Sequence, residues 1–246
     1  MLITFTDFGV VGPYLGQMRL ALAQAAPMVP VVDLVSDAPA FRPKAAARLL
    51  AALVDRLPAR SVVIAVVDPG VGGGRLPLVL RADGRYFVGP DNGLLDGVAA
   101  GAQDCDWFEI TWRPGSLSNS FHGRDLFAPV AGALANNPAR LAEFASELTP
   151  PPLAWMPDFA EVIYVDGYGN LITGIQAANI DQATVFAIGG QSIRHGNTFS
   201  AVAEGALLWY RNSMDLVEVA ENCGSAAHRL DASIGARVMR MGPGAA

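Results

Sequence analysis

The stretch Ser61–Arg75, SVVIAVVDPGVGGGR, decides the fold of the first part of the chain. Its first seven residues are a continuous, β-branched apolar run, which predicts a strand covered on both faces of a sheet. Asp68 follows this strand, and the glycines after it let a backbone approach a ligand closely. The loop lacks the GK[ST] of a P-loop, and Arg75 replaces the third glycine of a dinucleotide fingerprint. Asp68 and Arg75 can converge if the chain doubles back, as a ligand site or as a structural salt bridge.

Outward from this strand, strand and helix signals alternate, which predicts an α/β layered domain with a mainly parallel sheet. Strands are expected at 2–6, 30–35, 61–67, 77–81 and 86–88, and helices at 14–25, 43–57, near 94–100 and at 125–137. Asp125 is the expected N-terminal cap of the last helix, because its carboxylate can accept backbone N–H groups.

A proline-rich segment at 147–158, ELTPPPLAWMPD, is expected to be a linker, since proline resists helix and interior strand. Beyond it the pattern changes to short strands separated by Gly and Asn turns. We therefore expect an N-terminal α/β domain at 1–150 and a C-terminal domain at 151–246 that is a small all-β barrel or, as the alternative, a sandwich.

The composition excludes several classes of function. The net charge is −6 and Lys44 is the only lysine, which argues against a nucleic-acid partner and against lysine chemistry. No apolar run reaches the ~18 residues of a membrane span, and the start MLITFTDFG lacks the basic region of a signal peptide, so a cytoplasmic protein is expected. Two distant cysteines give no disulfide framework and no zinc spacing; we expect both to be buried thiols.

Polar residues that interrupt apolar structure are candidates for a site. Asp7 ends the first strand, where a carboxylate can accept hydrogen bonds from a ribose diol or simply cap a loop. His122 stands just before a helix, and a histidine there is either structural or catalytic. In the second domain, Asn170 offers a donor and an acceptor that suit an adenine edge, and Phe199 offers a ring for stacking. Each also fits an ordinary turn or core position.

Six motifs in order carry more information than any one of them. They are TDFG (6–9), DPGVG (68–72) with Arg75, PDNG (90–93), SNSFHGRD (118–125), DGYGN (166–170), and NS (212–213) followed by NCGSAA (222–227). Together they resemble the S-adenosyl-L-methionine hydroxide adenosyltransferase family, which is related to fluorinases and chlorinases. The resemblance runs from Thr6 to about Ala227.

The resemblance implies hydrolysis of S-adenosyl-L-methionine to adenosine and methionine without a metal or other cofactor. It also implies an α/β domain followed by a small β-barrel, and a homotrimer that holds each substrate between the N-terminal domain of one subunit and the C-terminal domain of the next. The implied hydrolytic triad is Asp68, Arg75 and His122. The implied substrate contacts are Asp7 for the ribose, Asp166 for the methionine ammonium, Asn170, Phe199 and the backbone around Asn222 and Cys223 for adenine, and Ser213 for the methionine end.

Three positions depart from the family pattern: Gly12, where many relatives have Asp, Gly174, where Asn is common, and Met214, where Gly is usual. The triad is intact, and we expect it to hold water in line with the C5′–S bond. His122 is the expected proton acceptor and Asp68 is the alternative. A non-catalytic protein that binds S-adenosyl-L-methionine or adenosine stays open as a second reading, and a halogenase is a third.

Overall fold

The computed structural model describes residues 1–150, 152–153, 155 and 158–241. The chain divides into two compact units, Met1–Trp155 (the N-terminal unit) and Met156–Ala246 (the C-terminal unit). The expected linker at 147–158 lies partly outside the described residues, and its first two residues, Glu147 and Leu148, belong to a strand. In the part of the chain that is described, no helix is long and apolar enough to cross a membrane.

The N-terminal unit is built on one seven-stranded sheet. Its strands are β1 (Leu2–Thr6), β2 (Val31–Val35), β3 (Val62–Val66), β4 (Pro77–Ala82), β5 (Arg85–Pro90), β6 (Cys105–Ile110) and β7 (Ala145–Leu148), in the order β2-β1-β3-β5-β4-β6-β7. The pairings from β2 to β5 are parallel and the remaining three are antiparallel, so five of the seven strands point the same way. The predicted α/β class with a mainly parallel sheet is confirmed.

Apolar burial explains the centre of this sheet. Every residue of β3 is at most 4% exposed, as a continuous apolar run predicts for a strand covered on both faces. The strands β6 and β7 were missed. In β6, CDWFEI mixes charged and aromatic residues, and β7 is only four residues long, so neither presents a clear period to a sequence reading.

The helices of the N-terminal unit are α1 (Tyr14–Ala25), α2 (Pro43–Leu53), α3 (Asp96–Gly101), α4 (Ala128–Asn136) and α5 (Leu141–Phe144). The helix expected at 43–57 ends at Leu53 and continues as a 3-10 turn, Val54–Arg56. The prediction that Asp125 caps α4 is wrong. Asp125 lies inside a π-helical turn, Gly123–Phe127, that leads into α4, and its carboxylate accepts the N–H of Ser118 and pairs with Arg124.

The described residues of the C-terminal unit are mainly β, with one short α-helix and a 3-10 turn, Phe199–Ala201. Its strands are β8 (Phe159–Val165), β9 (Leu171–Gln176), β10 (Val185–Ile188), β11 (Gln191–Ile193), β12 (Leu207–Arg211), β13 (Leu216–Glu221) and β14 (Met239–Met241), and the helix is α6 (Ala226–Arg229). Buried apolar side chains from both of its sheets form the core, with the rings of Phe186 and Trp209 edge to face at 5.2 Å.

The predicted all-β class of the C-terminal unit is confirmed, and its described strands do not form a closed barrel. The strands form two antiparallel sheets, β12-β13-β9-β8 and β11-β10-β14. Between the two sheets, the backbone of 160–162 bonds to that of 236–238, and Arg194 and Gly196 bond to the backbone of Trp209. The strands β11 and β14 have only three residues each, which is too short to carry continuous ladders to both neighbours and close the barrel.

Candidate active site

Two carboxylates meet at one edge of the N-terminal sheet. Asp7 directly follows β1, and Asp68 comes two residues after β3. Because β1 and β3 are parallel neighbours in register, their carboxyl ends lie side by side. The backbone N–H of Asp7 donates to the carbonyl of Val66, at 3.4 Å. In open α/β sheets this edge is where ligands bind.

The glycine loop after Asp68 turns back on itself. Val71 donates to the carbonyl of Asp68 and Gly73 to that of Gly70. Gly72 has a φ of +76°, and a Cβ there would overlap the backbone carbonyl of Asn119. Only glycine allows this close approach, which packs the loop against the segment that carries His122.

The sequence-predicted triad is brought together by this packing. Arg75 donates two hydrogen bonds to Oδ2 of Asp68, one from Nε at 3.0 Å and one from Nη2 at 2.5 Å. The same Nη2 lies 2.9 Å from Nδ1 of His122. The side chains of Asp68 and Arg75 are only 4% and 10% exposed. A two-point contact of this kind fixes geometry as well as charge.

The contact with Arg75 determines the tautomer of His122. A guanidinium carries only donors, so Nδ1 must offer its lone pair, and the proton of the neutral ring sits on Nε2. Burial lowers the pKa of His122, and the charge of Arg75 lowers it further. Both effects keep the imidazole neutral near pH 7, as the hydrogen bond requires.

A cavity of about 100 Å³ opens beside the triad and is lined by Asp7, Asp68 and His122. Burial is the main cause that raises the pKa of Asp7, and the nearby charge of Asp68 adds to it. The guanidinium carbon of Arg75 lies 5.4 Å from the centre of the Phe127 ring. Of the triad, Asp68 and His122 line the cavity, and Asp7 adds a second carboxylate to its wall.

Sequence reasoning missed part of the cavity wall. Phe41 lines the cavity from the loop before α2, with a φ of +61°. Its backbone N–H bonds to the carboxylate of Asp7 and partly opposes the rise in the pKa of Asp7. Phe8 and Phe121 line the cavity too, with ring centres 5.5 Å apart. The Phe residues in TDFG and SFHG stood inside recognised motifs, whereas no signal marked Phe41.

In the C-terminal unit, Asp166 and Asn170 contact each other across the turn between β8 and β9. Oδ1 of Asp166 accepts the backbone N–H groups of Tyr168 and Asn170, and Oδ2 accepts Nδ2 of Asn170 at 3.0 Å. Asn170 is buried. The carbonyl of Gly169 accepts the N–H of Ala227, so the DGYGN and NCGSAA motifs are adjacent.

Phe199 begins a 3-10 turn, whereas the other candidates of this unit lie on loops. Phe199 is exposed, and its ring packs against Tyr210 at 5.5 Å. Ser213 is exposed in the turn between β12 and β13. Asn222 uses its backbone N–H and carbonyl in bonds to Ala206 and Gly205. Cys223 is exposed with a φ of +59°.

The departures from the family pattern have different structural settings. Gly174 pairs with Phe159 across β9 and β8, and a Cβ there would overlap the carbonyl and side chain of Phe159, so the site has no room for Asn. Gly12 is exposed, has open space around it and has a φ of +107°. Met214 donates its N–H to Oδ1 of Asn212. The expectation of two buried thiols is wrong, because Cys105 is half-buried and Cys223 is exposed.

The parallel-sheet edge, the close-packed glycine loop and the part-buried Asp–Arg–His cluster beside a cavity define an α/β protein with a candidate small-molecule site. Two family models, described as the SAM hydroxide adenosyltransferase N-terminal and C-terminal domains, match residues 2–144 and 160–239. The chain therefore belongs to the SAM hydroxide adenosyltransferase family.

Similar proteins agree with this assignment. The chain is 35% identical to a protein of Salinispora arenicola named (R)-S-adenosyl-L-methionine hydrolase, over 92% of this chain and 91% of that one. It is 36% identical to a protein of the same name from Thermus thermophilus, over 92% and 93%. A crystal structure of an uncharacterized conserved protein from Thermotoga maritima matches with a TM-score of 0.88 at 28% identity, covering 98% of this chain and all of that one.

Proposed function

We propose that this chain hydrolyses S-adenosyl-L-methionine to adenosine and L-methionine. The observation that carries the proposal is the part-buried Asp68–Arg75–His122 cluster, of which Asp68 and His122 line a cavity that they share with Asp7. The names of the relatives support the substrate and specify its (R) form, so that form is included in the proposal.

The reaction is a displacement at the ribose C5′ carbon. A water oxygen forms a bond to C5′ as the C5′–S bond breaks, and the bonding electron pair goes to sulfur. The sulfonium thereby becomes the neutral thioether of methionine, and the water gives up one proton. Because the leaving group departs without protonation, the protein has to activate only the water, and the proposal includes no metal or cofactor.

The hydrogen bonds from Arg75 favour different roles for His122 and Asp68, the two triad members that line the cavity. His122 presents an N–H at Nε2 and has no free lone pair, so it orients the water oxygen as a donor. Oδ1 of Asp68 lies 3.3 Å from Nε of Arg75, farther than Oδ2 does, so its hydrogen bond is the weaker one. Oδ1 therefore serves as the proton acceptor. Arg75 is a positioning residue that holds both.

The remaining roles complete the substrate site. Asp7 accepts hydrogen bonds from the ribose diol, and Asp166 faces the methionine ammonium. Phe199, Asn170 and the backbone near Asn222 and Cys223 contact adenine, and Ser213 contacts the methionine end. We further propose a homotrimer in which the N-terminal unit of one subunit and the C-terminal unit of the next hold each substrate. Light scattering after size-exclusion chromatography tests the trimer.

The wider setting belongs to the same proposal. Cys105 and Cys223 are both free thiols, which suits a reducing compartment, and a cytoplasmic location is proposed. A net charge of −6 supports small-molecule substrates rather than nucleic acid as partners.

Product analysis tests the proposed activity. Purified protein is incubated with the (R) and (S) sulfonium forms in separate reactions, and adenosine and methionine are separated and quantified. Formation of the two products in equal amounts supports hydrolysis. Substrate that stays bound and unchanged supports a binding protein instead, and a chloride-dependent 5′-halogenated product supports a halogenase.

A further inference from the structure

Glu218 is a buried carboxylate with no role in the proposed chemistry. It lies in the middle of β13, between β12 and β9, and is 7% exposed. A buried carboxylate is expensive unless its oxygens are satisfied by donors, so the partners of Glu218 indicate what it holds.

Each oxygen of Glu218 has one partner from β12 or from the turn that follows it. Tyr210 stands directly opposite Glu218 in the ladder, and its hydroxyl donates to Oε1. Asn212 donates from Nδ2 to Oε2 at 2.9 Å. Burial and the carboxylate of Glu218 together raise the pKa of Tyr210, so its hydroxyl remains a donor over the whole physiological range.

Asn212 connects Glu218 to the turn that carries Ser213. Its Oδ1 accepts the backbone N–H groups of Met214 and Leu216, at 2.9 and 3.0 Å. Its own backbone N–H donates to the carbonyl of Leu216. A donor bond to Glu218 orients the Asn212 amide so that its oxygen faces these N–H groups, and the turn conformation depends on that orientation.

Tyr210 connects Glu218 to Phe199. The two rings are tilted by 61° with centres 5.5 Å apart, so fixing the Tyr210 hydroxyl also fixes the surface on which Phe199 rests. The carboxylate of Asp166 contributes to the raised pKa of Tyr210, which puts Asp166 within electrostatic range of the same ring.

We propose that Glu218 is a positioning residue for substrate binding, which aligns the Ser213 turn through Asn212 and the Phe199 ring through Tyr210. The inference rests on the proposed function, since it assigns Ser213 and Phe199 to opposite ends of S-adenosyl-L-methionine. Glu218 acts on binding and leaves the Asp68–Arg75–His122 cluster unchanged. Replacement of Glu218 is therefore expected to raise KM and to leave kcat nearly unchanged.

Three variants and a control test this separation. Glu218→Leu removes both acceptor oxygens, and Tyr210→Phe removes the hydroxyl that bonds to Glu218 beside Phe199. Glu218→Gln keeps an oxygen that accepts from Asn212 and gains an amide N–H that can donate to the hydroxyl oxygen of Tyr210. Tyr86→Phe is the matched control, because it removes a tyrosine hydroxyl of β5 that interacts with Arg81. Each protein is assayed for kcat, KM and thermal midpoint.

Glu218 reaches the substrate contacts only through Asn212 and Tyr210, so part of the effect of losing these charge-assisted hydrogen bonds is expected in substrate binding. Glu218→Leu and Tyr210→Phe are therefore expected to raise KM about five- to tenfold with kcat within about twofold, while Glu218→Gln and Tyr86→Phe stay near wild type. Wild-type KM in folded Glu218→Leu and Tyr210→Phe would overturn the inference, as would an equal effect of Tyr86→Phe. If Glu218→Leu does not fold, Tyr210→Phe decides.

The outcome for the wild-type protein separates the two proposals. Wild-type protein that binds S-adenosyl-L-methionine without hydrolysing it overturns the proposed function alone, and the same variants are then compared by calorimetric Kd. Wild-type protein that neither binds nor hydrolyses it overturns both. Active wild-type protein with unaffected Glu218 and Tyr210 variants overturns only the role of Glu218.

Discussion

Arg75 donates a hydrogen bond to Nδ1 of His122, at 2.9 Å, across 47 residues of sequence. The same nitrogen of Arg75 grips Asp68, so one guanidinium fixes the carboxylate and the imidazole together. Since Arg75 can only donate, the contact defines which nitrogen of His122 carries a proton. The assignment of roles in the cluster follows from this one bond.

The tautomer of His122 is directly measurable. In protein labelled with ¹⁵N-histidine, we expect Nδ1 of His122 to be unprotonated and Nε2 to be protonated at pH 7.5. The chain has only three histidines, so His195→Gln and His228→Gln assign the signals. A proton on Nδ1 would contradict the Arg75 hydrogen bond and return His122 to the role of proton acceptor.

Removal of the His122 ring is expected to affect chemistry more than binding. General acid–base and water-positioning groups typically contribute ~10²–10⁴-fold, so His122→Ala should lower kcat by about that factor with KM changed only a few-fold. Steady-state kinetics and calorimetry separate the two effects. The matched control is His195→Ala, in the C-terminal unit and outside the cluster. A His122→Ala enzyme with near wild-type turnover would remove His122 from the mechanism.

Activity is expected to fall at acidic pH, because His122 becomes protonated. The pKa of His122 is lowered from its ordinary value of 6.5, so the ring stays neutral until the pH falls below that value. Protonation puts a hydrogen on Nδ1, which then opposes the N–H of Arg75, and kcat/KM should fall as the pH drops below 6.5. The stability contributed by the neutral ring is complete above 6.5 and is lost as the pH falls through the folded pKa.

Replacement of Arg75 tests the cause of this shift. Arg75→Gln removes the positive charge beside His122, and the pKa of the ring should rise, with burial retaining part of the shift. An NMR titration of His122 reads this without requiring activity. An unchanged or lower pKa in Arg75→Gln would mean that Arg75 does not contact the ring in solution.

The carboxylate of Asp7 is expected to lower the stability of the fold at pH 7 and to strengthen substrate binding. Its pKa is raised above the ordinary 3.8, mainly by burial, so the protonated carboxyl favours folding below 3.8 and that contribution is lost as the pH rises through the folded pKa and Asp7 ionises. At pH 7, Asp7→Asn should therefore raise Tm, by about 1–2 °C on the usual scale for a partly buried charge. The same variant should raise KM. A lower Tm would show that Asp7 is a structural residue.

The α/β class could be predicted because a buried strand leaves a local signal, whereas the triad was implied by the resemblance of six ordered motifs and not by any single residue. The run SVVIAVV marks a buried strand, and Asp68, Arg75 and His122 stand in recognisable motifs. The choice between barrel and sandwich stayed open, since closure depends on how far β11 and β14 extend, and nothing local marks strands of three residues. The sequence also left the proton acceptor open, because a tautomer depends on a hydrogen bond that forms only on folding.

The cavity wall shows the same limit at a single residue. Phe41 contributes a backbone N–H to Asp7 through a left-handed conformation that no residue pattern predicts. Glu218 likewise looked like one charged residue in an alternating strand. Its meaning depends on Tyr210 and Asn212, whose contacts with it come from cross-strand register and from the turn after β12.

Product analysis with purified protein tests the central claim most directly. The wild-type protein, its His122→Ala variant and a no-protein blank are incubated with S-adenosyl-L-methionine, with and without chloride, and products are followed by chromatography. We expect adenosine and methionine in equal amounts, independent of chloride, at a rate about 10²-fold or more above that of His122→Ala. Intact substrate after prolonged incubation with wild-type protein, or a product that requires chloride, would contradict the account.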